Sequence, residues 1–409
     1  MSQHDRPASE GLSNLGGMDV ADAKNIVRAE IERLTPALLD LSHTIHANPE
    51  LNFEEHHAHE ALTGVLEDNG IDVTRGAYDM PTAFDARVGT ADGPTVAVLC
   101  EYDALPGIGH ACGHNIIGSA GLGAGIAVAK VAKALGGRVA ILGTPAEEGG
   151  GGKEFMVRRG AFDDVDLAMM VHPADRDLRT FHAIAIQQLH VTYDGQAAHA
   201  AASPHRGRNA LDAAVLGYNA VAALRQHIRP DERIHGIFTD AGDKPNIVPS
   251  RAAAEWYVRS HKMASLETLK ERVQRCLQGG ADASGCEMQA EWIDPPFYDM
   301  IDNHPLLDVY VRNAMDVGRH PLPSEEGSMV VGSTDMGNVS YAVPSIHPMI
   351  KVAPEGTPIH TPEFEVYTGR EEGDRAVIDG ALTLALTMVD CLASAETREE
   401  IRAAFTAAA

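Results

Sequence analysis

Three short clusters in this 409-residue chain bring together side chains that bind cations. The first is Glu101, Asp103, His110, Cys112 and His114 within CEYDALPGIGHACGHN. The second is the pair Glu147-Glu148 in PAEE, and the third is His172 in VHP. Each follows a short apolar run, at 95–100, 138–143 and 167–171. Thiolate, carboxylate and imidazole meeting in one place make a mixed sulfur, oxygen and nitrogen site suited to zinc, or to manganese where carboxylates dominate. Taken singly, Cys112 reads as a small buried hydrophobe, the glutamates as a solvated turn and His172 as a satisfied loop histidine. Three such coincidences at successive strand ends argue for a metal site instead.

Adjacent glutamates have a physical use. On an extended segment neighbouring side chains point to opposite sides, so one carboxylate can bind metal while the other stays free beside an activated water. The free one can take the proton and pass it to a leaving nitrogen. Residues 149–153 are not a phosphate loop, because position 147 is Glu where that motif needs Gly, and Lys153 is followed by Glu154. A cysteine hydrolase using Cys112 stays open on composition, although Cys112 and His114, two residues apart, do not by themselves establish a dyad.

The elements that must position these residues show in the apolar pattern. Ile26, Ile31, Leu34, Leu38, Leu41 and Ile45 recur at helical spacing over 21–47, and a second helix runs from Glu55 to a stop at Asn69-Gly70. Strand and helix then alternate: strand 95–100, helix 114–135, strand 138–143, helix 153–159, strand 167–171. This predicts an α/β fold with a mainly parallel sheet, helices on both faces and a ligand crevice at the carboxyl ends of the strands. From about Gln187 the pattern changes to strand 188–193, helix 206–227, strands 234–239 and 252–258, helix 265–277 and strand 287–292, a compact α+β unit that Pro295-Pro296 closes. The expected plan is a leader at 1–19, a catalytic domain of 20–186 and 297–409 ending in a long helix at 371–393, and an inserted satellite domain at 187–296.

Composition bounds the partners. Lys and Arg number 33 against 58 Asp and Glu, a formal charge of −25 with His neutral, which excludes a nucleic-acid grip. The 20 histidines exceed Phe and Tyr together, a hint of metal handling. Five scattered cysteines point to a reduced, cytoplasmic setting. The polar start lacks the apolar core of a signal peptide, and the apolar stretch 119–129 is too short to span a bilayer, so no membrane partner is expected. His43, His46, His56, His57 and His59 lie on or beside early helices without a motif and read as solvated.

The strings EYDALPGIGHACGHN, GTPAEEGGGGK, MMVHP, GQAAHAAASPHRGRNALDA, GSTDMGNVS and IHTPEF together resemble the aminoacylase and amidohydrolase family of dinuclear metallopeptidases, in order from about Ala21 onward. PAEEGGGGK and STDMGNVS look most like the branch of aminobenzoyl-glutamate hydrolases and dipeptidases acting on β-alanyl-type dipeptides. The resemblance implies two divalent ions, Zn2+ or Mn2+, held by Cys112, His114, Glu148, His172 and His360, with the Cys112 thiolate bridging. It implies Glu147 as general base, Asp103 as the residue that orients a ligand, and His199 as the group that steadies the oxyanion, reaching into the partner subunit of a homodimer formed through the satellite domain. Asn246 resembles a residue that assists similarly, Arg259 would meet a substrate carboxylate, and Glu101 lies where related branches place a ligand. Asn115 departs from the Asp that many relatives carry after Cys-Gly-His, which would make the site less anionic. The implied activity is hydrolysis of the amide bond of an N-acyl amino acid or short dipeptide. The alternatives are a metal-binding relative without catalysis, a Cys112 hydrolase, and a deacetylase or deformylase specificity within the same chemistry.

Overall fold

The computed structural model describes residues 17–323 and 331–408. The chain opens with α1 (Val20–Ala47) and α2 (His56–Asp68), followed by β1 (Thr74–Arg75), β2 (Phe84–Gly89), β3 (Thr95–Cys100), α3 (His114–Ala129), β4 (Arg138–Gly143), α4 (Gly152–Arg158), β5 (Leu167–Met169), β6 (His172–Ala174) and β7 (His182–Ala183). The middle holds β8 (Ala185–Asp194), α5 (Ala210–Leu224), β9 (Arg233–Asp240), β10 (Arg251–Ser260), α6 (Met263–Ser284) and β11 (Glu287–Trp292). The return comprises α7 (His304–Val317), β12 (Val331–Gly332), α8 (Met336–Ala342), β13 (Ser345–Ile346), β14 (Met349–Lys351), α9 (Pro362–Thr368), α10 (Glu371–Ala393) and α11 (Ala395–Ala408).

Residues 1–16 of the expected leader lie outside the described residues. Asp19, its last residue, belongs to the fold: its carboxylate accepts from the Ala21 amide at 2.8 Å and caps α1. The α1 stripe buries Val27, Ile31, Leu34, Leu38, Leu41 and Ile45. Ile26, expected in that stripe, faces outward and is 40% exposed.

β3 is buried along its whole length, as a central parallel strand must be. β4 pairs with it on one side and β5 on the other, both parallel, and β13 adds in parallel beside β5. The six-stranded order is β1-β2-β4-β3-β5-β13, so the sheet is mostly parallel, with β2 antiparallel to β4 and β1 antiparallel to β2. That antiparallel edge was not expected, because 84–89 alternates only briefly and ends in Val-Gly. Since β4 and β5 flank β3, the loops after all three strands leave one edge and surround one crevice. The expected strand 167–171 ends early, at Met169: β5 stays in the sheet, whereas the next strand, β6, begins at His172 and pairs with β14, which places His172 at the crevice.

α3 is apolar on all sides and buried from His114 to Val128 between the sheet, α1 and α10. Its glycines set the spacing. A Cβ on Gly123 would stand 2.5 Å from Leu38 Cδ1 and 3.3 Å from Ala381 Cβ, and one on Gly125 would stand 2.4 Å from Ile141 Cγ1. The helix stops at Ala129, short of the expected Leu135. α10 is long and apolar enough to cross a bilayer by length and composition, but Val377, Ala381, Leu384, Met388 and Val389 are buried in the core beneath α1 and α3.

The middle segment forms a second, wholly antiparallel sheet in the order β11-β8-β10-β9. The ten residues of β8 alternate buried and half-buried positions, as a one-sided sheet requires. α5 and α6 cover that face over a separate apolar core that includes Leu189, Tyr193, Trp256, Leu269 and Val273. α5 is shorter than the expected helix 206–227, α6 is longer than 265–277, and α11 was not expected. Gly123→Val should destabilise the chain by about 1–3 kcal/mol, read as a lower denaturant midpoint at unchanged slope.

Candidate active site

The residues after β3 are buried: Glu101, Tyr102 and Asp103 at its end, then His110, Cys112 and His114 on the approach to α3. Gly113 between the two ligand candidates has φ +82°, and a Cβ there would lie 2.7 Å from Pro173 Cγ. Only glycine lets Cys112 and His114 enter α3 with both side chains turned into the crevice. After β4, Ala146 adopts φ +60° and its amide donates to Glu55 Oε1 at 2.9 Å. Glu55 thus clamps the turn that presents Glu147 and Glu148, a role with no signal in the sequence. His360 also takes a left-handed φ of +63° while its amide donates to Ala111 O at 2.9 Å. Such a conformation costs a non-glycine residue about 1–3 kcal/mol and survives where surrounding contacts enforce it.

One buried carboxylate organises the ligands. Asp103 Oδ1 lies 3.0 Å from His114 Nδ1, and Asp103 Oδ2 accepts from the Glu148 amide at 2.9 Å. His114 is thereby left with Nε2 facing Glu101 Oε2 (3.4 Å), Glu148 Oε1 (3.7 Å) and Glu147 Oε2 (3.8 Å). His172 donates from Nδ1 to Pro173 O at 2.8 Å, which turns its Nε2 toward Cys112 Sγ at 3.3 Å. His360 Nε2 is 3.3 Å from the same sulfur and 3.4 Å from Glu148 Oε1. Imidazoles anchored through one nitrogen with the other free are the ordinary preparation for metal binding.

Among the described residues four compact groups form. Two of them, Cys112 with His114 and His172, and Cys112 with Glu148 and His360, share the Cys112 sulfur; the others are His114 with Glu147 and Glu148, and Glu101 with Glu147 and Asp335. His114 Nε2 and Glu148 Oε1 are buried without hydrogen-bond partners, and burial, then Glu148, pushes the Cys112 thiol well above its ordinary range. Burial, then Glu101 and Glu148, likewise pushes the Glu147 carboxyl up. Divalent cations supply the charge that this thiolate and these carboxylates need, so the residues fit two metal ions.

Glu101, a ligand candidate from sequence, divides its oxygens: Oε1 meets Lys153, and Oε2 faces His114 Nε2. The fully buried Lys153 ammonium lies 2.6 Å from Glu101 Oε1 and 2.6 Å from Asp335 Oδ1, while Asp335 Oδ2 accepts from the Lys153 amide at 2.9 Å. Lys153 is thus the internal counter-cation of two carboxylates beside Glu147, although from sequence it served only to reject a phosphate loop. Asn115 corrects another expectation: it donates to Ser42 Oγ (2.9 Å) and Thr368 O (3.0 Å), away from the ligands, so its exchange for Asp bears on helix packing. His110 is buried and stacks on His46 at 6.3 Å, outside all four groups. His46 meets Glu365 at 3.1 Å and His59 is buried against the Phe84 ring, so neither is solvated as expected.

Beside the ligands opens a cavity of about 470 Å³ whose walls include Phe181, Gln187, Arg259, Ser333 and His347. Arg259 donates from Nη1 to Ser333 Oγ at 3.3 Å. His199 and Asn246 do not reach this cavity within one chain. They are exposed neighbours on the two loops at one end of the second sheet, where Ala200 N donates to Asn246 O at 3.0 Å and His199 Nδ1 accepts from the amides of Ala201 (3.2 Å) and Ala202 (3.1 Å).

A family model described as Peptidase family M20/M25/M40 matches residues 95–388, which span the candidate ligands of the crevice and the second sheet. The chain belongs to this peptidase family. The Xaa-Arg dipeptidase of Mus musculus is 36% identical over 416 residues, covering 98% of this peptidase and 96% of that protein. A p-aminobenzoyl-glutamate hydrolase subunit of Escherichia coli is 38% identical over 276 residues, covering 62% of this peptidase and 56% of that protein. Among solved structures, a dinuclear metal binding peptidase of Bacillus subtilis superposes with a TM-score of 0.67 at 18% identity, over 88% of this peptidase and 99% of that chain, a likeness of fold. The peptidase is a metal-dependent hydrolase of amide or peptide bonds. Lys153→Met strands two buried carboxylates and should cost about 3–5 kcal/mol of stability. Adding Asp335→Asn should recover part of it, as chemical denaturation would show.

Proposed function

We propose that this peptidase hydrolyses an N-acyl amino acid or a short dipeptide with two ions, zinc or manganese, held by Cys112, His114, Glu148, His172 and His360. The observation that carries the reading is the shared Cys112 sulfur between two ligand groups, with the Glu147 carboxylate beside them. When bound, such ions supply Lewis acidity toward a carbonyl and a water acidic enough to act near neutral pH. Glu147 accepts the proton of the attacking water and returns it to the leaving nitrogen. Asp103 holds His114 in the tautomer that offers Nε2. Arg259, whose side chain has a serine hydroxyl but no carboxylate partner within the described residues, takes the substrate's carboxylate.

The relatives named as dipeptidase and aminobenzoyl-glutamate hydrolase support an amino acid as the leaving half. We further propose a homodimer in which 187–296 is the dimerising domain and His199 and Asn246 of one subunit complete the other's site. The exposure of both residues supports this, as does the open edge strand β9, where Ile237 is 64% exposed. A cytoplasmic setting fits a site that needs Cys112 as a thiolate and five cysteines that are all unpaired.

The direct test is a hydrolysis panel on metal-reconstituted protein, comparing N-acyl amino acids, aminobenzoyl-glutamate and β-alanyl dipeptides. Chelation should abolish turnover and added Zn2+ or Mn2+ restore it, whereas a cysteine hydrolase would survive chelation and fall to thiol alkylation. Glu147→Gln should keep its metal content by elemental analysis and lose about 10²- to 10⁴-fold in kcat; full activity in that variant overturns the assignment of the base. Arg259→Met should raise KM for every substrate bearing a free carboxylate and leave amide-capped analogues unchanged.

A further inference from the structure

His347 lies on the wall of the same cavity and has no part in the chemistry described so far. Its side chain is held between two rings, His172 at 5.2 Å and Phe181 at 5.0 Å between centroids. It is 1% exposed, and neither ring nitrogen has a hydrogen-bond partner in the protein. It belongs to none of the groups whose atoms lie close enough to share a cation. Leaving a buried polar atom unmatched costs about 1–3 kcal/mol, and such groups in native structures go with a bound water or ion, a strained site or a functional role.

The position of His347 along the wall says which ligand. Phe181 packs on its ring, Gly332 packs on Phe181, and Ser333 follows at the Arg259 guanidinium. His347 is therefore linked to His172 on one side and, through Phe181 and Gly332, to the Ser333–Arg259 pair on the other, on the wall that a substrate reaching from the metal site to the arginine would pass. On the reading that Arg259 receives the carboxylate, this part is the leaving amino acid. An imidazole carries at least one N–H in either protonation state, so a hydrogen-bond acceptor is the group it can always satisfy. Phe181 and Met349 make the wall beside it apolar.

We propose that His347 is a specificity-determining residue that donates a hydrogen bond to an acceptor on the side chain of the leaving amino acid, selecting polar over aliphatic residues of similar length. A site built around a buried hydrogen bond discriminates against analogues that lack the partner, because their binding leaves the protein group unpaired.

The test compares substrates of one acyl group with Gln or Met as the leaving residue, on full-length metal-loaded protein. The wild type should favour Gln over Met in kcat/KM by roughly tenfold, the factor a neutral hydrogen bond is worth. His347→Phe, which keeps an aromatic ring in the same place, should bring that ratio to about one with wild-type metal content, and His347→Asn should keep a preference for Gln. An unchanged ratio in His347→Phe overturns the proposal, as does a loss of bound metal in both variants, which would make His347 part of the metal centre. Failure of the arginine reading is separable, since Arg259→Met would then leave KM for free carboxylates unmoved whatever the Gln-to-Met ratio does.

Discussion

The site depends on the Asp103 carboxylate, which is fully buried and uses its two oxygens in two directions. One faces the His114 ring and fixes which nitrogen that ring can offer; the other accepts the amide of Glu148 and ties the loop after β4 to the loop after β3. A single side chain thus sets the orientation of an imidazole and the location of a carboxylate contributed by different strands. A buried acceptor that lost either donor would leave the other loop without a register, which is why this carboxylate tolerates burial.

Charge balance explains the surroundings. Glu101, Asp103, Glu147, Glu148 and Asp335 converge within a few ångströms, and the buried ammonium among them is Lys153. That ammonium settles Glu101 and Asp335, and leaves the carboxylates nearest the sulfur to face cations. The overall charge of −25 is mostly a property of the surface; the part that matters chemically is this small imbalance among buried side chains, where an uncompensated charge is costly. The cavity continues the theme with the opposite sign, since Arg259 stands on its wall over the Tyr257 ring, with the Ser333 hydroxyl beside it and no carboxylate partner among the described residues.

Much of this was legible from residue types and spacing. The short apolar runs and the ligand types at their ends placed Cys112, His114, Glu147, Glu148 and His172 at one edge of a mostly parallel sheet, and a compact α+β unit from about Gln187 was readable from its change of pattern, though not that its sheet is antiparallel. Histidine abundance was a poor guide: His110, His46 and His59 are buried or paired for packing, and His199 lies on an outer loop of the second sheet. The reading of 167–171 as a strand ran two residues past the end of β5 and missed β6, because the apolar run continues through Met170 and Val171 after the strand has ended.

What the sequence determined by itself is the set of ligand types and their position relative to strand ends, since both follow from covalent spacing along a few residues. What only the tertiary structure decided is which of those groups meet. Lys153 finds Asp335 across 182 residues and His360 finds Cys112 across 248. Asn115 turns from the candidate ligands to Ser42 and Thr368, Glu55 comes up under Ala146, and His347 is left on the cavity wall with both nitrogens buried and unmatched. Pairings between such distant positions are set by how sheets and helices pack around a common core, and no local periodicity encodes them.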